Sequence, residues 1–253
     1  MEFLNKFRIL NINALKFLAA FFMVIDHIGL MFFPYILEFR ILGRLSMPLF
    51  AFALAEGCKY TRNKLKHFLL LFVLAVICQT VYYFFDNGNL YMCILVTFSL
   101  AVLTIYALQY CKRCLFSEGV KLWEKIFSTA LFIATVGGVY ALNCKFTIDY
   151  GFWGCMLPVF ASLFDFHRIP APKLLQKLDT IPYRVACMLP CLIGIALHYL
   201  PYTFPIYAVC ALPILFMYNG QKGTLKTKYF FYLFYPLHLV VLEGVYMALY
   251  IWS

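Results

Sequence analysis

The chain has 253 residues, of which 64% are hydrophobic and 13% are charged, and its formal net charge is +10. Soluble domains are about 45–50% apolar and about 25% charged, so a single soluble core of this length could not bury so much apolar surface. The composition also excludes disorder, which requires low hydrophobicity. A polytopic membrane protein remains, and roughly 28 residues per helix and loop leave room for about nine spans.

Apolar segments separated by polar residues follow one another along the whole chain and predict nine transmembrane helices. They cover residues 13–36, 40–58, 67–85, 90–110, 123–142, 150–164, 182–199, 203–217 and 229–252. The first segment is too long for the apolar part of a cleavable signal peptide, so we interpret it as a true span. We predict an all-α fold, a polytopic integral membrane helix bundle that forms a single domain over residues 1–253.

The basic residues orient the predicted helices. Seventeen Lys and Arg residues fall before the first span or in the loops after spans two, four, six and eight, against three on the other side. Lys and Arg accumulate in cytoplasmic loops, so the N-terminus is predicted to be cytoplasmic and the C-terminus outside, in an inner or plasma membrane. The loop after span four is predicted to contain Lys112, and the loop after span six Arg184. Charge spread in this way does not form the single basic patch that is typical of nucleic-acid binding.

Ten cysteines are present, and most of them lie inside apolar segments, where they behave as small hydrophobic residues. Cys111 and Cys114 have the spacing of a redox or zinc pair. No second Cys or His pair with ligand spacing lies nearby in the sequence, so we interpret this segment as an ordinary loop and predict no metal site.

Among the ionisable residues inside the predicted spans, we single out eight. They are Lys16, Asp26, His27, Arg44, Glu56, His198, His238 and Glu243. A charge in hydrocarbon costs a few kcal/mol, so each of these residues is a candidate for function. Structural roles stay open beside this one: a histidine can join two helices by a hydrogen bond, Lys16 and Arg44 can extend to the interface, and Glu243 can pair with a neighbouring cation.

Helical geometry relates several of these residues. Lys16 and His27 are separated by ten residues, which is about three turns, so they share one face of the first span. Asp26 points about 100° away and is expected to contact another helix rather than His27. At a rise of ~1.5 Å per residue, Asp26, His27 and Arg44 all fall in the outer third of the membrane. Lys16 and Glu56 fall near the inner boundary and are possible partners.

Five motifs in order resemble the TraX family, which is named for the membrane protein that acetylates conjugative F pilin. They are NALKFLAAFFMVIDHIG at 13–29, GRLSMPLFAFALAEGCKYTRN at 43–63, DYGFWGCMLP at 149–158, MYNGQKG at 217–223 and KYFFYLFYPLHL at 228–239. The resemblance extends over nearly the whole chain. It implies an integral membrane acyltransferase, most simply one that uses acetyl-CoA.

A wider likeness points to the same chemistry. Lys16 and His27, with ten residues between them, resemble a signature of the acyltransferase-three family, and the run from Arg44 to Phe50 is similar to an early span of that family. Those relatives, and the lysosomal heparan-sulfate acetyltransferase, transfer an acyl group from cytosolic acyl-CoA across the membrane. A second arginine of the acyltransferase-three pattern and an appended soluble domain are missing from this sequence.

The implied reaction assigns a role to each candidate. Transfer from a thioester needs a base for the acceptor amine or hydroxyl, and His27 fits either as that base or as a residue that carries the acyl group itself. Arg44 or Tyr150 would stabilise the oxyanion. The expected catalytic residues are His27, Asp26, Arg44 and His238, and the expected cofactor-binding residues are Lys16, Arg44 and Tyr235. Asp26 would orient the site, and His238 with Tyr235 would form its facing wall.

The expected partners are acyl-CoA, membrane lipid and an acceptor that the sequence does not identify, such as a pilin-like peptide, a glycan or a small molecule. Two other functions stay open. A proton-coupled transporter or flippase would use Asp26, His27 and Glu243 as a relay and would consume no acyl-CoA. A non-catalytic membrane assembly factor would tolerate replacement of His27.

Overall fold

A computed structural model describes residues 7–85, 91–225 and 228–250. Within these ranges the protein is helical and forms no strand, only two isolated β-bridges. The helices are α1 (Ile12–Met31), α2 (Leu37–Gly43), α3 (Ser46–Tyr60), α4 (Lys64–Phe85), α5 (Ile94–Phe116), α6 (Leu122–Lys145), α7 (Gly151–Ala161), α8 (Lys173–Leu178), α9 (Ile181–Ala186), α10 (Leu189–His198), a 3₁₀ helix (Phe204–Cys210), α11 (Ala211–Phe216) and α12 (Lys228–Tyr250).

Six helical segments of the described chain are long and apolar enough to cross a membrane. They are Ile12–Met31, Leu37–Tyr60, Lys64–Val81, Ile94–Phe116, Leu122–Lys145 and Ile181–His198. Shorter apolar helices cover Gly151–Ala161, Phe204–Phe216 and Leu233–Leu249. The prediction of an all-α fold is thereby confirmed for the described residues, and six of their helical segments have the length and composition of membrane spans, whereas nine crossings and the orientation of the ends stay predictions. Lys6, Lys226 and both chain ends, on which the orientation partly depends, lie outside the described residues.

Two predicted spans are each built from two helices, and a proline lies four residues after each break. Proline lacks an N–H and its ring collides with the carbonyl four residues earlier, which kinks or breaks a helix and favours an interruption at these two places. Arg44 lies between the end of α2 and the start of α3, and Pro48 follows four residues later, in the first turn of α3. Pro190 lies four residues after Ala186, the last residue of α9. Arg44 therefore lies at a helix junction and not in the middle of a regular span.

The loop predicted after span four begins later than expected. Helix α5 continues to Phe116, so Cys111, Lys112 and Cys114 are helical and buried, and the interpretation of this segment as a loop is wrong. Arg184 likewise lies in α9 and is buried, although it was expected in a loop. Both basic side chains reach polar partners inside the protein, which hydropathy alone does not register.

Contacts divide the chain into two compact units. The first contains residues 1–53 and 199–253, and the division falls inside α3. In this unit α1 packs against α2 and α12, and the segment after α11 runs beside the start of α1. There the Leu10 N–H donates to the Met217 carbonyl at 3.0 Å, and the Asn219 N–H donates to the Leu10 carbonyl at 2.8 Å.

The second unit contains residues 54–198, and its centre is formed by α5 and α7. Helix α5 packs on α4, α6 and α7, and α7 also packs on α9 and α10. Small residues permit the closest of these approaches: a Cβ placed on Gly194 of α10 would lie 2.3 Å from the indole of Trp153 in α7. Thr97 joins α5 to the start of α7, because its hydroxyl donates to the Asp149 carbonyl at 2.8 Å.

Candidate functional site

A charged cluster joins α1 to α2 in the first unit. The carboxylate of Asp26 contacts two guanidinium groups, that of Arg40 at 3.0 Å and that of Arg44. Arg40 also donates to the backbone carbonyl of Asp26 at 3.3 Å. Arg40 and Arg44 are four residues apart and so project from the same side of their helix. One carboxylate between two arginines leaves the cluster with a net positive charge.

Close packing and one aromatic ring hold this cluster in place. Gly43 passes so near to Asp26 that a Cβ at Gly43 would lie 2.3 Å from the Asp26 side chain. The ring of Phe204, in the 3₁₀ helix, lies under both arginines, 5.6 Å from the guanidinium carbon of Arg40 and 5.4 Å from that of Arg44. Cation–π contacts of this kind favour charged, oriented guanidinium groups where water is scarce.

Two histidines meet where α1 packs against α12. The ring centroids of His27 and His238 lie 5.0 Å apart, with their planes at 78°. The Nδ1 of His27 lies 2.8 Å from the Met23 carbonyl, and the Nδ1 of His238 lies 2.9 Å from the Phe234 carbonyl. A carbonyl only accepts, so in each ring Nδ1 carries the hydrogen. In the neutral tautomer this leaves each Nε2 with a lone pair.

The surroundings of His238 are aromatic. Its ring stacks on Phe234 at a centroid distance of 5.2 Å and an angle of 9°, and it contacts Tyr235 edge-on at 5.6 Å. His238 is buried, and its Nε2 has no hydrogen-bond partner among the described residues. A buried nitrogen with an unused lone pair is uncommon and suggests a place for a donor that the protein does not itself supply.

Lys16 lies on the same uninterrupted helix as His27. Its ammonium group lies 5.7 Å from the centroid of Phe231 in α12, the helix that also carries His238. Lys16 and His27 therefore face the same neighbouring helix, as their spacing predicts. Glu243 is also in α12 and is half-buried. Arg44 contacts the carboxylate of Asp26.

Three other candidates belong to the second unit. Glu56 forms a buried ion pair with Arg184, a partner that differs from the Lys16 expected from membrane depth. His198 is exposed, and its ring lies close to Gly151: a Cβ placed on Gly151 would be 2.9 Å from Nε2 of His198. Tyr150 has a left-handed backbone, with φ of 60°, directly before α7.

Sequence reasoning missed two members of the site. Arg40, the first residue of predicted span two, was counted only as one of the three basic residues on the external side, although its spacing from Arg44 was a signal that both would reach one partner. Phe204 carried no signal, since it is one of 28 phenylalanines and approaches the arginines only through the fold. Among the described residues, no group of three or more His, Cys, Asp or Glu side chains is placed to hold a metal ion.

The arrangement can therefore bind and accept protons through two imidazole Nε2 atoms, and it holds a positively charged cluster between α1, which carries Asp26 and His27, and the end of α2, where both arginines lie. The next residue after Asp26 is His27, so the ion pairs that fix Asp26 also limit how α1 can rotate. These are the elements of general-base chemistry with a nearby cationic group.

Comparison with known proteins assigns the chain to a family. The family described as "TraX protein" matches residues 11–246. A curated relative, named probable fimbrial assembly protein FimC, serogroup H1, from Dichelobacter nodosus, is 29% identical over 267 residues, which covers 93% of this chain and 95% of that protein. No solved structure matches. The family match includes α1 and most of α12, the two helices that bring the histidines together, and the chain belongs to the TraX family.

Proposed function

We propose that this protein is an integral membrane acyltransferase that transfers an acetyl or other acyl group from cytosolic acyl-CoA to an amine or hydroxyl acceptor at or across the membrane. Membership of the TraX family supports this proposal. The relative named as a probable fimbrial assembly protein favours a pilin-like peptide as the acceptor, with a glycan or a small molecule as alternatives.

The observation that carries the proposal is the histidine pair. Hydrogen bonds from Nδ1 to the carbonyl four residues earlier fix both rings and leave both Nε2 atoms as acceptors. His238 is buried, and a merely structural histidine in such a place would be expected to use both ring nitrogens, whereas His27 beside it is half-buried. A general base needs this arrangement, because its lone pair must be directed at a proton of the substrate.

In the proposed reaction, Nε2 of His27 takes the proton from the acceptor amine or hydroxyl. The acceptor atom attacks the thioester carbonyl, and the carbon–sulfur bond breaks as CoA leaves as a thiolate, which receives the proton from His27. Alternatively, Nε2 attacks the thioester carbonyl first, and the carbon–sulfur bond breaks as CoA leaves as a thiolate. The acceptor then attacks the acyl-histidine, the bond between Nε2 and the acyl carbon breaks, and the proton of the acceptor passes to the thiolate. Arg40 and Arg44 contribute positive charge toward the developing oxyanion.

The transporter alternative is less well supported. A proton relay through Asp26 requires a carboxylate that repeatedly gains and loses its proton and changes partners. Asp26 instead contacts two guanidinium groups and is packed against the backbone of Gly43. This arrangement suits a fixed structural anion that orients α1 better than a mobile carrier.

The test is acyl transfer by purified full-length protein in lipid nanodiscs. Labelled acetyl-CoA is supplied with an envelope fraction as the acceptor, and the acceptor is identified by its added acyl mass. Gln keeps a hydrogen-bonding group but neither takes a proton at neutral pH nor carries an acyl group. His27→Gln should therefore lower the rate by about 10²–10⁴ and leave the protein folded.

His198→Gln is the matched control, because His198 is exposed and lies in the other unit, so transfer should stay near the wild-type rate. His238→Gln should lose most of its activity if the two imidazoles act as a pair. Near-normal transfer by His27→Gln would contradict the assignment of the base, and the absence of acyl transfer from any acyl-CoA by the wild type would contradict the proposed function.

A further inference from the structure

A second polar feature lies entirely within the second unit. A cleft of about 650 Å³ is lined by Arg62, Lys64, Arg113 and Arg168, together with Thr61 and Asn63. None of these lining residues is acidic. Three separate segments supply the cations: the turn between α3 and α4, the end of α5, and the loop after α7. The volume is in the range of ordinary small-molecule sites.

The cleft rests on a buried network that holds its walls together. The ammonium group of Lys112, next to Arg113, donates to the carbonyls of Ser162 and Asp165 at 2.7 and 3.1 Å. The ammonium group of Lys59 lies 3.6 Å from the carboxylate of Asp165 and 3.4 Å from that of Asp179. The end of α5, the end of α3 and the loop that leads to Arg168 are thus fixed to one another.

The same network engages the two nearby acids. Asp165 accepts the N–H of His167, and Asp179 accepts the N–H of Phe166, each at 3.0 Å. Both carboxylates also face Lys59. The lining of the cleft itself contains four cations and no carboxylate, and Lys64 is acted on electrostatically both by Arg113 and, with the opposite sign, by Asp165.

The backbone of Arg168 adds a further observation. Its φ is 60°, in the left-handed region that non-glycine residues rarely adopt because Cβ crowds the following carbonyl oxygen. Its side chain is exposed and lines the cleft. A residue kept in a costly conformation where its charge meets three others of the same sign suggests a function for that charge.

Membrane topology does not by itself account for the cleft. The preference for cytoplasmic Lys and Arg fills loops with positive charge but does not make cations from three segments converge. Lys121 and Lys177, which lie on the same predicted side and are exposed, do not line it. Three of the four cations are arginines, whose planar guanidinium groups bind phosphate through two hydrogen bonds.

We infer that this cleft binds the phosphate groups of a multiply phosphorylated ligand. On the proposed function, on which this identification rests, the ligand is the nucleotide end of acyl-CoA, which carries a diphosphate and a 3′-phosphate. The same chemistry is present in the headgroups of anionic phospholipids, so the experiment separates the two sources.

The experiment measures CoA binding by calorimetry to full-length protein in nanodiscs of zwitterionic phosphatidylcholine. Arg62→Gln/Arg113→Gln should weaken binding by about tenfold or more, because each charged hydrogen bond to phosphate contributes that order of affinity. Lys121→Gln/Lys177→Gln removes the same charge from the same predicted side and should change the affinity less than about twofold. Arg168→Gly keeps the left-handed backbone while removing the cation, and it should also weaken binding.

Two probes identify the ligand. Dephospho-CoA should bind more weakly than CoA if the 3′-phosphate is recognised. In nanodiscs with phosphatidylglycerol, a cleft that binds lipid headgroups should retain this lipid in the wild type and lose it in Arg62→Gln/Arg113→Gln. The inference is overturned if the cleft variant and the control variant are alike in binding CoA and in retaining phosphatidylglycerol.

The test of the cleft and the test of the proposed function can fail independently. Binding of CoA that depends on the cleft, without acyl transfer, would support the cleft and contradict the enzyme. Acyl transfer with an unchanged KM for acetyl-CoA in Arg62→Gln/Arg113→Gln would support the enzyme and contradict the cleft as the CoA site.

Discussion

The ion pair between Glu56 and Arg184 gives a quantitative prediction about stability. The two residues are 128 positions apart, and their side chains are 4% and 2% exposed. Arg184 also donates to the Ala161 carbonyl at 2.9 Å. Removing one member of a buried pair leaves the other charge without its partner and typically costs about 3–5 kcal/mol, whereas replacing both with apolar residues costs much less.

We therefore expect Arg184→Leu to lower the free energy of unfolding by about 3–5 kcal/mol, because the carboxylate of Glu56 stays buried without its guanidinium partner. For a chain of this size, that corresponds to a fall in Tm of roughly 6–20 °C. Glu56→Leu/Arg184→Leu should recover a substantial part of this loss.

Thermal unfolding of the purified protein in one detergent at one scan rate measures these differences. Glu118→Gln, which removes an exposed carboxylate from the loop after α5, is the control and should leave Tm nearly unchanged. Glu56→Leu is measured as the second single variant. If Arg184→Leu is as stable as the wild type, or if the double variant loses as much free energy of unfolding as the two single variants together, the pair does not act as a buried, coupled unit.

Two further predictions concern packing and topology. Gly43→Ala should destabilise the protein and disturb acyl transfer, since its new methyl group would lie 2.3 Å from the Asp26 side chain. Gly57→Ala is the control: its methyl group would meet nothing within 4 Å, so this variant should be as stable as the wild type or more stable by up to about 1 kcal/mol. Thermal unfolding measures both differences. Cys210 is also exposed, so the test uses a Cys210→Ser background. In it, Cys144 at the end of α6 should react in intact cells with a membrane-impermeant maleimide if this end is external, and Cys144→Ser should abolish that labelling. Labelling of Cys144 only after the cells are permeabilised would contradict the predicted orientation.

The positions of the helices could be predicted from the sequence, because long apolar segments must form helices when their backbone leaves water. Every predicted segment contains an apolar helix or part of one in the described chain. The boundaries were less accurate where polar side chains are helical and buried. By hydropathy, the predicted span ends just before Lys112, yet the ammonium group of Lys112 donates to two carbonyls inside the second unit, and α5 continues past it.

Local periodicity also placed Lys16 and His27 on one face of α1, since their angle depends only on the number of residues between them. It did not identify the partner of either residue. The partners depend on which helices pack together. Packing brings His27 to His238, Asp26 to Arg40 and Arg44, and Glu56 to Arg184. A buried charge requires a partner, and this requirement is visible in the sequence. The choice among distant partners is made only when packing brings two helix faces within a few ångströms, and so the tertiary structure alone decided it.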